Sequence, residues 1–284
     1  MYSLYLKPKI GISLLTLGLT LLMLSSQAGW ARQKDSLRVC ADPNNLPFSN
    51  QAGEGFENAL ARLLADSMQR ELEYVWYPQR RGFFRHTLNA GKCDLVMGVL
   101  PGLQRADTTA PYYRSSYVFV TRQADKLQIT SLDDPRLGKL KVGVPVVGDD
   151  YSNTPGASAM ARRGYIHNLT GFSVYGDYSK PHPASRIIEA LATKAIDVAI
   201  VWGPVAGFFA DQQAVALDIS PVTPAQEQGT RFTFPIAMAV RQGDTELKQE
   251  VERVMREQAV KVSQVLRRYR VPMLEMANHN SSQE

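Results

Sequence analysis

The 284-residue chain is poor in the residues that build most catalytic or metal centres. Its two cysteines, Cys40 and Cys93, are too few for a disulfide-dense scaffold and do not form a Cys-x-x-Cys pair. The four histidines, His86, His167, His182 and His279, are scattered without a ligand-like spacing, which favours structural or surface roles. There is no Gly-x-Ser-x-Gly and no phosphate loop. Asp133-Asp134 and Asp149-Asp150 offer oxygens, but no loop continues them into a calcium-type series. No cofactor is therefore expected. Basic residues exceed acidic ones by only five, and no long basic run occurs, which argues against nucleic acid as a partner.

Long apolar runs are also missing, except at the start. Lys7 and Lys9 precede an uncharged apolar stretch, Ile10 to Leu24, of 15 residues. Ser26-Gln27-Ala28 follows with small residues suited to cleavage, and Ala31 offers a second site. This is the layout of a secretory signal peptide over residues 1–28, leading to the periplasm. The alternative, a retained anchor, is disfavoured because a span needs about 20 apolar residues. Once the leader is removed, the net charge falls from +5 to +3, and no later segment is expected to insert into a membrane.

What is present is an alternation of strand-like and helix-like segments. Residues 37–41, 71–77 and 94–99 read as strands. A helical stripe of Phe56, Leu60, Leu63, Leu64 and Met68 and a short helix from Gly82 to Ala90 lie between them. A second unit follows, with strands at 140–146, 172–176 and 197–202. Its helices begin at Thr154-Pro155 and run through Ile187, Ile188 and Leu191. Residues 232–240 return as a strand. Leu247, Val251, Val254, Val262, Leu266 and Tyr269 stripe one long C-terminal helix. Repeated strand–helix–strand order implies parallel pairing with right-handed crossovers. The expectation is an α/β protein of two lobes, the second inserted in the first. Lobe 1 spans 32–120 plus 234–276 and lobe 2 spans 121–233, with crossings near 117–124 and 228–235 and a disordered tail at 277–284.

The segments LRVCADPNNLPFSN…GFENALARLLA, LNAGKCDLVMGV, PYYRSSYVFV and the helix ending RRYRVP resemble the type II periplasmic solute-binding proteins of ABC transporters, amino-acid-binding branch, over nearly the whole mature chain. A narrower set resembles the branch associated with quinoprotein dehydrogenases, the MoxJ/MxaJ and XoxJ type. It comprises VCADPNNLPFSN, QRRGF, CDLVMGV, GDDYSNTP, VYGDYSKPHPASRI and DVAIVWGPVAGFFA. The resemblance implies a bilobal type II fold and an accessory role in methanol or alcohol oxidation. The implied partners are a periplasmic methanol dehydrogenase that uses pyrroloquinoline quinone and its cytochrome c.

Ligands of two-lobed α/β proteins sit at the carboxyl ends of the strands, between the lobes. That rule points to Asp42, Asn44, Asn45 and Phe48, then Gln79, Arg80, Arg81 and Phe83, then Arg105 in lobe 1. In lobe 2 it points to Asp149, Asp150 and Tyr151, then Asp177 and Tyr178, then Trp202. The resemblance makes Arg105 the fork for a ligand carboxylate. It also puts Trp202 where amino-acid binders place an ammonium-binding Asp, so a free amino acid is not the expected ligand. For the arginines a solvated surface and for Trp202 a packing role under the hinge are the competing readings. Cys40 and Cys93 either pair in lobe 1 or remain two buried thiols. The oxidising compartment favours the pair, while their places at opposite ends of parallel strands oppose it. Three functions compete: a dehydrogenase accessory protein, a transporter receptor for a small polar solute other than a free amino acid, and an enzyme on the same fold. The absence of an acid–base pair disfavours the last.

Overall fold

The computed structural model describes residues 36–147, 153–173 and 178–275. The leader and tail readings lie outside them. In β1 (Ser36–Ala41), Leu37 and Val39 are buried on one face and Cys40 on the other. Helix α1 (Phe56–Ser67) lays the fully buried Phe56, Leu60 and Leu64 on the first face. Strand β2 (Glu71–Trp76) then pairs in parallel with β1. The helix expected from Gly82 to Ala90 is instead one turn, α2 (Phe83–His86), followed by a short 3-10 turn at Leu88–Ala90. Thr87 breaks it: its backbone is not helical, and its hydroxyl donates to the Phe83 carbonyl at 2.6 Å. Strand β3 (Leu95–Val99) pairs with the other edge of β1.

After the short β4 (Ala106–Thr108), β5 (Tyr113–Arg122) runs out of the first lobe into the second. There β6 (Val142–Val146), α3 (Pro155–Arg162), β7 (Leu169–Ser173), α4 (Arg186–Ala192) and β8 (Val198–Trp202) repeat the strand–helix–strand pattern. Thr154 and Pro155 do open α3, although the Thr154 hydroxyl donates to the Pro145 carbonyl at 2.6 Å and accepts from no amide of the helix. Helix α5 (Gly203–Ala210) and β9 (Leu217–Pro221) follow, and β10 (Thr233–Arg241) returns to lobe 1. The sheet order is β2-β1-β3-β10-β5-β8-β6-β7, with β9 on β5 and β4 on β10. Residues 113–116 of β5 pair with 233–236 of β10, so the two strands cross between the lobes side by side.

The expected single C-terminal helix is two, α6 (Thr245–Glu257) and α7 (Ala259–Arg268), broken at Gln258. Leu247, Val251 and Val254 form one buried stripe, and Val262 and Leu266 a second. In one straight helix the second stripe would sit about 80–120° around the axis from Val254. The break turns both toward the lobe 1 core. The chain beyond α7 straps the lobes together. Tyr269 meets Phe56 of lobe 1 edge-on and stacks on Phe208 of lobe 2, and its hydroxyl donates to the Glu54 carbonyl at 2.6 Å. Ser115 donates to the Pro272 carbonyl at 2.6 Å.

Cys40 and Cys93 form a disulfide, with Cα atoms 5.6 Å apart. Their places along the strands do not prevent it, because the chain before β3 does not continue the strand line. The Asp94 amide donates to the Arg38 carbonyl at 2.8 Å. Cys93, one residue earlier, folds onto the face that carries Cys40, among Phe83, Leu88 and Ala237.

Candidate functional site

The loop after β1 is shaped by its contacts with α1. The carbonyls of Pro47 and Phe48 accept the first amides of α1, from Phe56 at 2.8 Å and Glu57 at 2.9 Å. Gly55 permits this approach, since a Cβ there would lie 2.0 Å from the Phe48 oxygen. Asn58 closes the loop by accepting from the Asn50 amide at 3.0 Å. Pro47 and Phe48 are thereby fixed against the helix start. Leu46 extends beyond lobe 1 and is buried in the lobe 2 cluster with Ile187, Val201 and Val205.

Between the lobes lies a cavity of about 430 Å³. Lobe 1 contributes Asp42, Asn44, Asn45, Phe48 and Gln79, and lobe 2 contributes Phe172, Tyr178 and Trp202, with Tyr117 of β5 between them. Tyr117, Trp202 and Phe234 form an aromatic triangle, with ring centres 5.6, 5.9 and 6.4 Å apart. Asp42 is buried and accepts from the Asn44 amide at 2.8 Å, from the Gln79 amide, and from the Tyr178 hydroxyl across the cleft. Asn44 also crosses the cleft, donating to the Lys180 carbonyl at 2.8 Å. The lobes thus touch through neutral donors and buried side chains. A second, mostly apolar hollow of about 370 Å³ lies at the start of β5 and along α6 and α7, away from this cleft.

The structure brings Asp42, Asn44, Asn45, Phe48, Gln79, Tyr178 and Trp202 to one cavity. Arg80, Arg81 and Arg105 do not line it and are exposed. Phe83 is not at the cleft: the turn at Gly82 (φ 90°) swings its ring into the lobe 1 core beside the disulfide. Asp149, Asp150, Tyr151 and Asp177 lie outside the described residues. Trp202 lines the cavity and also packs against Tyr117 and Phe234 at the crossing. Tyr117, Thr154 and Phe172 line the cavity without being among the site candidates of the sequence. Tyr117 lies in an apolar strand, where an aromatic reads as core. Among the described residues no three His, Cys, Asp or Glu side chains are grouped to hold a metal ion.

Glu57 is the other residue that sequence reasoning missed. An acid in the first turn of a helix reads as a partner of the helix dipole. Here its carboxyl is buried behind the cleft floor, its Oε1 so close to Gly98 that a Cβ there would lie 2.2 Å away. Burial first, and the Asp42 charge second, push this carboxyl up to about 8. Burial, then the Tyr113 and Glu57 charges, push the neighbouring Tyr112 hydroxyl well above its ordinary range, and among the described residues that oxygen has no hydrogen-bond partner. Burial alone pushes Tyr117 up to about 12. The Tyr178 hydroxyl is raised by burial and then by its bond to Asp42, so it stays a donor at neutral pH.

Residues 37–268 match the model of the bacterial extracellular solute-binding proteins, family 3. The chain is 33% identical over 270 residues to Protein MoxJ of Methylorubrum extorquens, covering 89% of this chain and 87% of that one. It is 29% identical to Protein MoxJ of Paracoccus denitrificans, over 84% of this chain and 89% of the relative. The crystal structure of the periplasmic binding protein XoxJ from Methylobacterium extorquens AM1 superposes with a TM-score of 0.69. That match has 34% identity and covers 84% of this chain and all of the other (100%). No helix among the described residues is long and apolar enough to cross a membrane. With its two lobes, inserted second lobe and paired crossing strands, the chain is a non-catalytic binding protein of type II fold. It belongs to the bacterial extracellular solute-binding proteins, family 3, in their MoxJ/MxaJ-like branch.

Proposed function

We propose that this protein acts in the periplasm as an accessory component of a methanol or alcohol dehydrogenase that uses pyrroloquinoline quinone. In this reading the inter-lobe cleft holds the dehydrogenase or a ligand that the enzyme needs, with its cytochrome c as a further partner. The observation that carries the reading is the cavity wall. Trp202 stands at the end of β8, Arg105 is exposed and away from the cavity, and no Lys, Arg or His lines it among the described residues. The cation that would grip a ligand carboxylate is therefore missing from the wall among the described residues, while relatives named MoxJ and XoxJ keep the fold.

Two results are expected. Calorimetric titration of the purified protein with the twenty amino acids should give no binding tighter than about 1 mM, which corresponds to only ~4 kcal/mol; micromolar binding of any of them would overturn the reading of the wall. Deleting the gene should lower periplasmic alcohol dehydrogenase activity and growth on methanol, with both restored by the wild-type gene. Unchanged growth and activity together with lost uptake of a defined solute would instead make the protein a transporter receptor. The direct hydrogen bonds that close the lobes over a small cavity favour that second reading.

A further inference from the structure

Asp42 is a buried carboxylate whose donors are two backbone amides and a tyrosine hydroxyl, all neutral. Burying a carboxylate without a cation is costly, and such groups are ordinarily paired. A second buried carboxyl, Glu57, is raised by burial and by the Asp42 charge, so it keeps its proton at neutral pH and gives Asp42 no counter-charge. No Lys, Arg or His lines the cavity among the described residues; Arg80 acts on Tyr178 only from the exposed rim, where solvent screens it. Five aromatic residues, Phe48, Tyr117, Phe172, Tyr178 and Trp202, line the cavity beside aliphatic ones such as Ile187, Val201 and Val205. Aromatic faces attract cations through their quadrupole, most strongly when water is excluded. The cavity, at about 430 Å³, is in the size range of small-molecule sites.

From this geometry we propose that the inter-lobe cavity binds an organic ammonium group that carries no carboxylate, seated among the aromatic rings beside Asp42. The charge that Asp42 lacks is supplied by the ligand. A ligand carboxylate is disfavoured because the wall, among the described residues, offers it no cation and the Asp42 carboxylate repels it. The ammonium can belong to a free amine or to a lysine side chain of a partner protein. The inference rests on the cleft being the binding site, not on which dehydrogenase system is served.

The test is calorimetry on the mature protein with matched probes. Choline is compared with its neutral isostere 3,3-dimethylbutan-1-ol, and N-acetyl-lysine methylamide with N-acetyl-norleucine methylamide. At least one cation should bind tenfold or more tightly than its neutral partner. Tighter choline assigns a free amine, and tighter lysine derivative assigns a protein side chain. Asp42→Asn should reduce that preference to threefold or less. Because Asp42 also holds the lobes together, Trp202→Leu is the second variant; it keeps an apolar wall, removes an aromatic face, and should also reduce the preference. Equal binding of cation and isostere, or a preference unaffected by both variants, would overturn the proposal. The dehydrogenase reading is decided separately by the gene deletion, so either can fail alone.

Discussion

Replacing Glu57 by glutamine is expected to leave stability almost unchanged near pH 4.5 and to raise it above pH 8 by up to about 5 kcal/mol. The side chain is buried, and desolvation together with the Asp42 charge pushes its carboxyl from an ordinary 4.5 to about 8. The folded state therefore holds the Glu57 proton more tightly than the unfolded chain does. Stability from the neutral carboxyl is complete below pH 4.5 and is lost as pH rises through about 8. Each unit between those values is worth about 1.4 kcal/mol, which sets the ceiling of about 5. The positive end of α1 opposes the effect, but by no more than about 1–2 kcal/mol, so desolvation dominates. Glutamine has no proton to lose and escapes the penalty. Urea unfolding of both proteins at pH 5 and pH 9 measures the difference, and parallel pH profiles would show that the carboxyl is not buried as described.

The second large effect is expected from Cys40→Ala combined with Cys93→Ala. The bridge joins residues 53 apart in sequence. Closing a loop of that length removes unfolded-state entropy worth about 4 kcal/mol in the chain-entropy model. Alanine keeps the site small and apolar among Phe83, Leu88 and Ala237. The urea midpoint of the double variant should fall to that of the reduced wild type, and the variant should no longer respond to reductant. A variant within about 1 kcal/mol of the oxidised protein would mean that the bridge contributes nothing, against the usual loss of ~2–5 kcal/mol.

Much of the architecture was legible because its signals are periodic. Phe56, Leu60 and Leu64 mark α1 at helical spacing, and the apolar runs of β1, β3, β6 and β8 mark strands buried on both faces. The break at Gln258 was not legible, because Val254 and Val262 remain compatible with one helix until the second stripe is seen to need rotation. Strand β9 was also missed: Leu217 and Ile219 alternate too briefly to stand out from a loop. The rule that ligands sit at strand carboxyl ends named Asp42, Asn44, Phe48 and Trp202, which line the inter-lobe cavity. It could not separate them from Arg80 and Phe83, because a turn decides whether a side chain following a strand faces the cleft, the solvent or the core. Glu57 was hidden for a related reason: its burial depends on a glycine 41 residues away at Gly98.

The position of β10 has a consequence for how the chain reaches this fold. In the finished sheet β10 lies between β3 and β5, two strands that precede it by more than a hundred residues. A nascent chain that ends before Thr233 has every other strand of lobe 1 and no neighbour between β3 and β5. It also lacks α6, α7 and the strap at Tyr269, which contribute to the same core. Closure of the first lobe is thereby postponed to the end of synthesis, and the long sequence separation of these pairings makes it slow. Until then the amino-terminal strands have open edges and exposed apolar faces, the state that chaperones bind and that aggregation threatens. A polypeptide that cannot fold until it is complete is also one that can still be threaded through a narrow pore while it is being finished.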